Sequence, residues 1–464
     1  MKTKNKKYEI DMTQGALLPK ILLFAIPLML SSVLQLLFNA ADIVVVGQFS
    51  GDETMGANCV AAIGSTGSLI NMILSVFMGL SVGVNVLAAR YFAGRLQKEM
   101  EETVHTTIAL ALFGGVVIGL VGIIVSKPLL TLMGSPDEVI NLSALYMRIY
   151  FIGMPVNLLY NFGAAILRAI GDTRRPLYYL IYAGIINVIL NMLFVIFLHM
   201  HVAGVALATI IAQAISAYLI LRALLKTDDI YKLDFKKIKL HKDKVKRIAK
   251  VGLPAGFQGM IFSFSNVLIQ SSINEFGAVA MAGNAAGSNL EGFVYMAMNS
   301  IYQACVSFTS QNVGAGKSER IGKVLANCLL IVTAVGLIMG NLFYIFGDKL
   351  VGIYTAEPAT IRYGVERMAV ICTLYFLCGC MDVICGSLRG MGYSTAPMIV
   401  SIIGACGLRI VWILTVFRGY HTLTVLYISY PVTWFITASA HLVCYFIIKK
   451  KVIAVMNKGK EKLA

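Results

Sequence analysis

The chain has 464 residues, of which 58% are hydrophobic and only 13% are charged. Soluble domains carry about 25% charged residues, so this composition excludes an ordinary soluble protein and indicates one whose solvent is lipid. A formal net charge of +16 would suggest nucleic acid as the partner of a soluble protein. Here the Lys and Arg residues lie between apolar segments, where they set membrane topology, so we expect no nucleic-acid partner.

Twelve apolar segments are long enough to cross a hydrocarbon core of about 30 Å as helices. The predicted spans are 20–48, 60–92, 103–126, 140–166, 176–198, 202–225, 249–275, 280–310, 322–346, 362–386, 397–417 and 422–448. The fold class is therefore an all-α, multi-pass membrane protein. The start of the chain lacks the short apolar core and cleavage pattern of a secretory signal, so we expect no cleaved leader.

Lys and Arg are concentrated on one side of these spans, which predicts that both termini are cytoplasmic. A segment with ten Lys or Arg follows the sixth span and divides the chain. We expect an N-terminal lobe at 1–225, a basic cytoplasmic linker at 226–248, a C-terminal lobe at 249–448 and a basic tail at 449–464. The linker is expected to be solvated and to touch anionic lipid head groups.

The two halves repeat each other at spacings of 221 to 227 residues. The matching pairs are Arg168 with Arg389, Gly171 with Gly392, Pro176 with Pro397, Gly94 with Gly316, and Pro27 with Pro254. Six spans separate the copies, and an even number preserves direction. The sequence therefore predicts two parallel six-helix lobes related by an axis along the membrane normal.

Short motifs recur in order along nearly the whole chain, and together they resemble the multidrug and toxic compound extrusion (MATE) family. They are Ile26-Pro27, 42–47, 167–173, Ile186-Asn187 with Asn191, 204–209, 311–317 and 388–392. The resemblance implies a MOP-type fold and an antiporter of the inner membrane. Such proteins export organic, often cationic compounds or drugs in exchange for protons or sodium. It further implies a monomer in membrane lipid that is not an enzyme and uses no cofactor beyond the coupling ion.

Asp42 is the main candidate for ion coupling. It lies among apolar residues of the first span, where a carboxylate costs about 2.5–3.5 kcal/mol on insertion scales, a cost usually accepted for function. Burial favours a protonated carboxyl and wetting an ionised one, which is what a proton-driven cycle needs. The alternative is that Asp42 sits near the outer helix end, wetted and without a role.

Three polar residues are expected at the depth of Asp42, roughly 10 Å below the outer helix ends. Asn187 and Asn191 share one helix face, and Thr209 lies on the next span. By the resemblance, these positions form a cation- or proton-linked network. Many relatives carry Asp where this chain has Asn191, which leaves the coupling ion open. Hydrogen bonding between helices is the alternative role of the two Asn residues.

The C-terminal lobe holds a possible substrate site or second charged site. Glu291 and Arg409 are expected near mid-depth, with Asp382 closer to the cytoplasmic end. A Glu–Arg pair here would either be structural or line a cation-binding cavity whose charge Arg409 tunes. Gln258 and Asn266 are eight residues apart, so they are expected to share one face and contact substrate.

Several chemistries lack their motifs. The stretch from Gly314 to Ser318 resembles a phosphate loop, but Gln311 stands where the first Gly is required, so no ATPase is expected. The six dispersed His residues and nine mostly apolar-flanked Cys residues indicate neither a metal site nor a disulfide framework.

Two other functions remain open at this stage. A flippase for a lipid-linked precursor would share the two-lobed fold but would favour a strongly cationic central cavity. An intramembrane enzyme would need paired catalytic groups at one depth, and the Asn and Thr company of Asp42 does not suit that chemistry.

Overall fold

The computed structural model describes residues 8–51, 53–133 and 136–461, and every regular element within them is helical. The helices of the first half are α1 (Leu17–Phe49), α2 (Glu53–Ala93), α3 (Gln97–Leu132), α4 (Asp137–Ile152), α5 (Met154–Ala169), α6 (Arg174–Asn191) and α7 (His201–Leu225). Those of the second half are α8 (Lys242–Asn274), α9 (Ala278–Gly314), α10 (Ser318–Ile345), α11 (Gly347–Val351), α12 (Pro358–Ile371), α13 (Phe376–Gly390), α14 (Thr395–Ser401), α15 (Leu408–Trp412) and α16 (Leu423–Glu461).

Each of the twelve predicted spans coincides with one long helix or one helix series. By length and apolarity, eight helices can cross a membrane, and two bent pairs raise this number to ten within the described residues. The remaining two predicted spans lie on α8 and α9. Both helices exceed 30 residues but fall short of the apolarity test. They carry many Gly, Ser and Asn residues, which lower hydropathy and let helices approach closely.

The chain divides into two compact units. The first contains Leu30–Gly252 and the residues up to Ile10, and the second contains Asp11–Met29 and the chain from Leu253 onward. The unit boundary lies inside α8, a few residues beyond the predicted start of the C-terminal lobe. The N-terminal part of α1 belongs to the second unit, an exchange that the sequence did not predict.

The repeat is visible in the backbone of the two units. Helices α4 and α5 form one span bent by 52°, and α12 and α13 form one span bent by 49°. The last turn of the following span is π-helical in both units, at Met192–Phe197 and Ile413–Phe417. The first bend occurs at Gly153, two residues before Pro155, but no proline accompanies the second bend. The bend is therefore a property of the repeat, and Pro155 is not required to produce it.

Close helix packing repeats as well. A Cβ atom on Gly115 of α3 would collide with the backbone of Pro155 on α5. A Cβ atom on Gly336 of α10 would lie 2.7 Å from the Cα atom of Phe376 on α13. Both residues of each pair are 221 positions from their counterparts. Small residues thus bring the same helix pair into backbone contact in each unit.

Helix ends correct one detail of the predicted repeat. Arg95 and Gly316 both adopt positive φ, 53° and 71°, just after α2 and α9. Their amides accept equivalent roles, since Arg95 N donates to Phe92 O and Gly316 N donates to Val313 O. The equivalent of Gly316 is therefore Arg95, at a spacing of 221, and the sequence pairing of Gly94 with Gly316 was one residue out.

The basic linker is less solvated than predicted. Tyr231 and Leu233 are buried, and the Tyr231 hydroxyl donates a 2.9 Å hydrogen bond to Glu9. Burial raises the pKa of Tyr231 to about 12. Lys244 is also buried and forms ion pairs with Glu99 and Glu102 of α3. This part of the chain therefore packs onto the first unit, because its apolar and aromatic side chains are buried there.

Candidate functional site

The structure brings the four predicted residues of the first unit into one hydrogen-bonded cluster. Helix α1 supplies Asp42, α6 supplies Asn187 and Asn191 on one face, and α7 supplies Thr209. Asn191 Nδ2 donates to Asp42 Oδ1 and also to Asn187 Oδ1, at 3.3 Å in the second case. Thr209 Oγ1 donates to Asp42 Oδ2 at 3.4 Å and accepts from Asn187 Nδ2 at 3.4 Å. We call these four residues the Asp42 cluster.

Asp42 is buried, with 7% of its surface exposed, and the expectation that it lies wetted at a helix end is wrong. Within the described part of the chain, no Lys, Arg or His nitrogen lies within ion-pair distance of its carboxylate. Its hydrogen-bond donors are a neutral amide and a neutral hydroxyl. A carboxylate held this way is stabilised by hydrogen bonds but is not neutralised by a fixed cation.

The Asp42 cluster presents oxygen atoms to one another. The side-chain oxygen of Asn191 is buried and has no hydrogen-bond partner among the described residues. An unpaired buried oxygen costs free energy until a proton donor or a cation reaches it. Carboxylate, amide and hydroxyl oxygens are hard ligands suited to alkali cations, and the carboxylate alone suffices for a proton.

Glu291 lies in a separate network of the second unit, and its partner is not Arg409. Arg367 of α12 donates from Nε to Glu291 Oε1 at 2.8 Å and from Nη2 to Oε2 at 2.7 Å. A third nitrogen of Arg367 donates to Asn284 Oδ1 at 2.8 Å. This two-pronged geometry is the strongest form of a carboxylate–guanidinium pair. The pair is buried, so it is neutral and fixed.

Arg409 has a different environment. Its guanidinium lies 4.1 Å from the ring centre of Tyr430 and donates one 3.4 Å hydrogen bond to Thr433. Its Nε is buried without a hydrogen-bond partner, and no carboxylate of the described chain pairs with it. Asp382 likewise has neither an ion pair nor a hydrogen bond among the described residues.

Gln258 and Asn266 do not act on a common surface. The Gln258 side chain is buried and accepts a 2.8 Å hydrogen bond from Arg389. Asn266 lines two adjoining cavities, one of about 370 Å³ and one of about 300 Å³. Asp382 and Arg409 line the first cavity, and Glu291 with Arg367 lines the second. Of the C-terminal predictions, only Gln258 is absent from both linings.

Comparison with known proteins gives the family. The MatE family model matches residues 27–193 and 254–415, which together are more than two thirds of the chain. The chain belongs to the MATE family of transporters. Its two matched regions correspond to the two halves of the repeat.

Similar proteins agree with this assignment. The MATE chain is 27% identical to the probable multidrug resistance protein YoeA of Bacillus subtilis, over 93% of this chain and 94% of that one. It is 22% identical to the multidrug export protein MepA of Staphylococcus aureus, over 85% and 87%. A crystal structure of a MATE protein in the bent conformation superposes with a TM-score of 0.86 at 20% identity, covering 97% and 98%.

Sequence reasoning missed three residues of the MATE chain's second unit. Arg367 lies inside the predicted tenth span, and a cation at that depth was a signal that a buried carboxylate needs a partner. Arg389 was read as a cytoplasmic topology signal, yet it is buried and donates to Tyr302 and Gln258. Tyr430 gave no signal, because aromatic residues are common in spans.

Proposed function

We propose that this MATE-family protein is a secondary antiporter that exports organic, often cationic compounds in exchange for protons or sodium. We place it in the plasma (inner) membrane as a monomer with both termini cytoplasmic, without enzymatic activity and without a cofactor. The names of YoeA and MepA, a probable multidrug resistance protein and a multidrug export protein, support the substrate class.

One observation carries the coupling mechanism: Asp42 is buried in a span and has only neutral hydrogen-bond donors. Because no fixed cation neutralises it, its net charge depends on what enters the Asp42 cluster. A proton or a sodium ion makes the site neutral, and loss of that ion restores the negative charge. Exchange follows if the neutral site and the substrate-loaded site allow the protein to reorient while the empty charged site does not.

The other Asp42-cluster residues have defined parts in this proposal. Asn191 and Thr209 hold one carboxylate oxygen each, so they orient Asp42 in both charge states. Asn187 bonds to both of them and keeps the two donors in place. With one carboxylate in the cluster, the proton is the favoured coupling ion, because sodium sites gain affinity from additional negative ligands.

A transport assay tests the proposal. Proteoliposomes contain the purified protein and a trapped pH dye, and ethidium uptake is driven by either a proton gradient or a sodium gradient at equal ionic strength. We expect ethidium movement with counterflow of protons, and its loss in Asp42→Asn. Asp228→Asn is the matched control, since Asp228 is exposed and its pair with Lys232 is a surface pair.

Three outcomes decide between the readings. Movement driven by sodium alone keeps the antiporter and replaces the coupling ion. Equal activity of Asp42→Asn and the native protein refutes the role of Asp42. If neither gradient moves an organic cation, export is refuted.

The flippase alternative has no support in the charges of the second unit. Two carboxylates and two arginines line its cavities, so the charges of the described lining balance. An anionic lipid carrier would favour an excess of cations. We therefore propose export of soluble organic compounds.

A further inference from the structure

The second unit contains a buried guanidinium that lacks an anion. Arg409 is 5% exposed and lines the 370 Å³ cavity. Of its five N–H donors, one reaches Thr433, while the buried Nε has no partner. A buried charge without a counter-ion is costly, and the contact with the Tyr430 ring offsets only part of that cost.

The same unit shows what a saturated arginine looks like. Arg367 makes three hydrogen bonds, two of them to one carboxylate. Arg389 makes two, to the Tyr302 hydroxyl and the Gln258 amide oxygen. Arg409 makes one long hydrogen bond. The unfilled capacity at Arg409 is therefore specific to this residue and is not a general property of arginines in this unit.

The cavity also presents a negative charge at a different place. Asp382 lines it, has no ion pair or hydrogen bond in the described chain, and lies beyond ion-pair distance of Arg409. Two opposite charges that share a cavity without pairing leave room for a molecule between them. A ligand with one anionic and one cationic group satisfies both charges, whereas a simple cation leaves Arg409 unpaired.

The remaining walls are aromatic. The ring of Tyr430 lies 5.6 Å from that of Trp434, and Trp434 lies 5.3 Å from Tyr375. All three line both cavities, whose volumes are in the range of drug-sized sites. Such walls suit a flat aromatic body.

We propose that the Arg409 cavity is a binding site for aromatic zwitterions, with the ligand's carboxylate on Arg409 and its cationic group towards Asp382. This proposal deepens the proposed export function by adding a substrate class, and it rests on that function for its role in transport. The carboxylate would take the two-pronged geometry that Glu291 takes on Arg367.

A matched dye pair tests the charge requirement. Rhodamine B carries a carboxylate and a delocalised cation, and its ethyl ester has the same aromatic body without the anion. Binding to the detergent-purified full chain is measured by fluorescence anisotropy. We expect rhodamine B to bind at least about tenfold more tightly than the ester, because a charge-assisted hydrogen-bonded pair is worth that factor or more.

Variants identify the site. Arg409→Gln is expected to remove the preference for rhodamine B while leaving ester binding within about threefold. Arg409→Lys is expected to keep a reduced preference, since a lysine retains the charge but not the planar fork. Arg418→Gln is the control, because Arg418 is exposed. Thermal unfolding of each variant shows whether it is folded, and the acid-against-ester comparison on the native protein does not depend on any variant.

The outcomes separate this proposal from the export function. Equal binding of both dyes by the native protein, or an unchanged preference in a folded Arg409→Gln, overturns the zwitterion site even if the ester is exported. Preferential rhodamine B binding that Arg409→Gln removes supports the site, even if the transport assay finds no gradient-driven movement and export is refuted.

Discussion

The two halves of the chain treat a buried carboxylate in opposite ways. In the first unit, Asp42 receives hydrogen bonds from the neutral side chains of Asn191 and Thr209. In the second, Glu291 is neutralised by two hydrogen bonds from Arg367. A carboxylate with a fixed cation cannot change its net charge during a cycle without large cost, whereas one with neutral partners can. The difference separates a structural ion pair from a candidate coupling site.

The backbone repeat makes this contrast specific. At 221 residues from Asn191 and Thr209, the second half carries Trp412 and Tyr430. The Glu291–Arg367 pair in turn has no counterpart in the first half, where the equivalent positions are Ile70 and Tyr146. The bends and π-helical turns recur, but the polar chemistry does not. Duplication has therefore kept the frame and allowed each unit its own interior.

The largest expected effect is on stability and concerns the ion pair. Glu291→Gln leaves the Arg367 guanidinium buried without its anion, which costs about 3–5 kcal/mol of unfolding free energy. The double variant with Arg367→Met is expected to recover most of that loss, because no charge remains. Denaturant unfolding in mild detergent measures both. A loss below about 1 kcal/mol in the single variant would contradict a structural role for the pair.

A second substitution gives the Asp42 cluster a second carboxylate. Asn191→Asp replaces a donor to Asp42 by a like charge, so we expect a loss of about 1–3 kcal/mol in sodium-free buffer near neutral pH. Lowering the pH is expected to restore stability, because protonation of either carboxyl removes the repulsion. Sodium is expected to restore it as well by binding the folded state.

Melting curves in sodium chloride and choline chloride at equal ionic strength measure this effect. The native protein, with one carboxylate, is the control and should show the smaller response to sodium. An identical response in both would show that the cluster does not bind the cation.

A third test compares two aspartates of the first unit. Asp42→Asn is expected to change the unfolding free energy by less than about 1 kcal/mol, because no cation loses its partner. Asp172 is buried, forms an ion pair with Arg175 and accepts from the backbone amides of Arg174 and Arg175. Asp172→Asn is therefore expected to cost about 3 kcal/mol or more. Equal losses in denaturant unfolding would remove the distinction between structural and coupling carboxylates.

The smallest expected effect concerns the repeat itself. Arg95 adopts the left-handed conformation that its equivalent, Gly316, adopts at lower cost. Arg95→Gly is expected to stabilise the first unit by up to about 1 kcal/mol, reduced by the loss of the exposed pair with Asp229. Gly316→Ala should destabilise by a similar amount. Thermal unfolding measures both, and a destabilising Arg95→Gly would indicate that its side-chain contacts outweigh the backbone strain.

Much of the Asp42 cluster was predictable, and the C-terminal network was not. Asp42, Asn187, Asn191 and Thr209 stand out as polar residues at one depth of three spans, and depth is readable from sequence because a helix rises by a constant amount per residue. Pairing in the second unit depends on which helix faces which. Glu291 and Arg409 are both near mid-depth, and nothing in their spacing indicates that Arg367 occupies the position beside Glu291.

The sequence by itself determined the solvent, the number of predicted spans, the duplication and the depth of the Asp42 cluster, because all four follow from composition and from distances along the chain. Only the tertiary structure decided which charges are paired. It assigned Arg367 to Glu291, buried Arg389, and left Arg409 and Asp382 unpaired on one cavity. The physical reason is that an ion pair forms within about 4 Å across neighbouring helices, and helix rotation and packing set that distance.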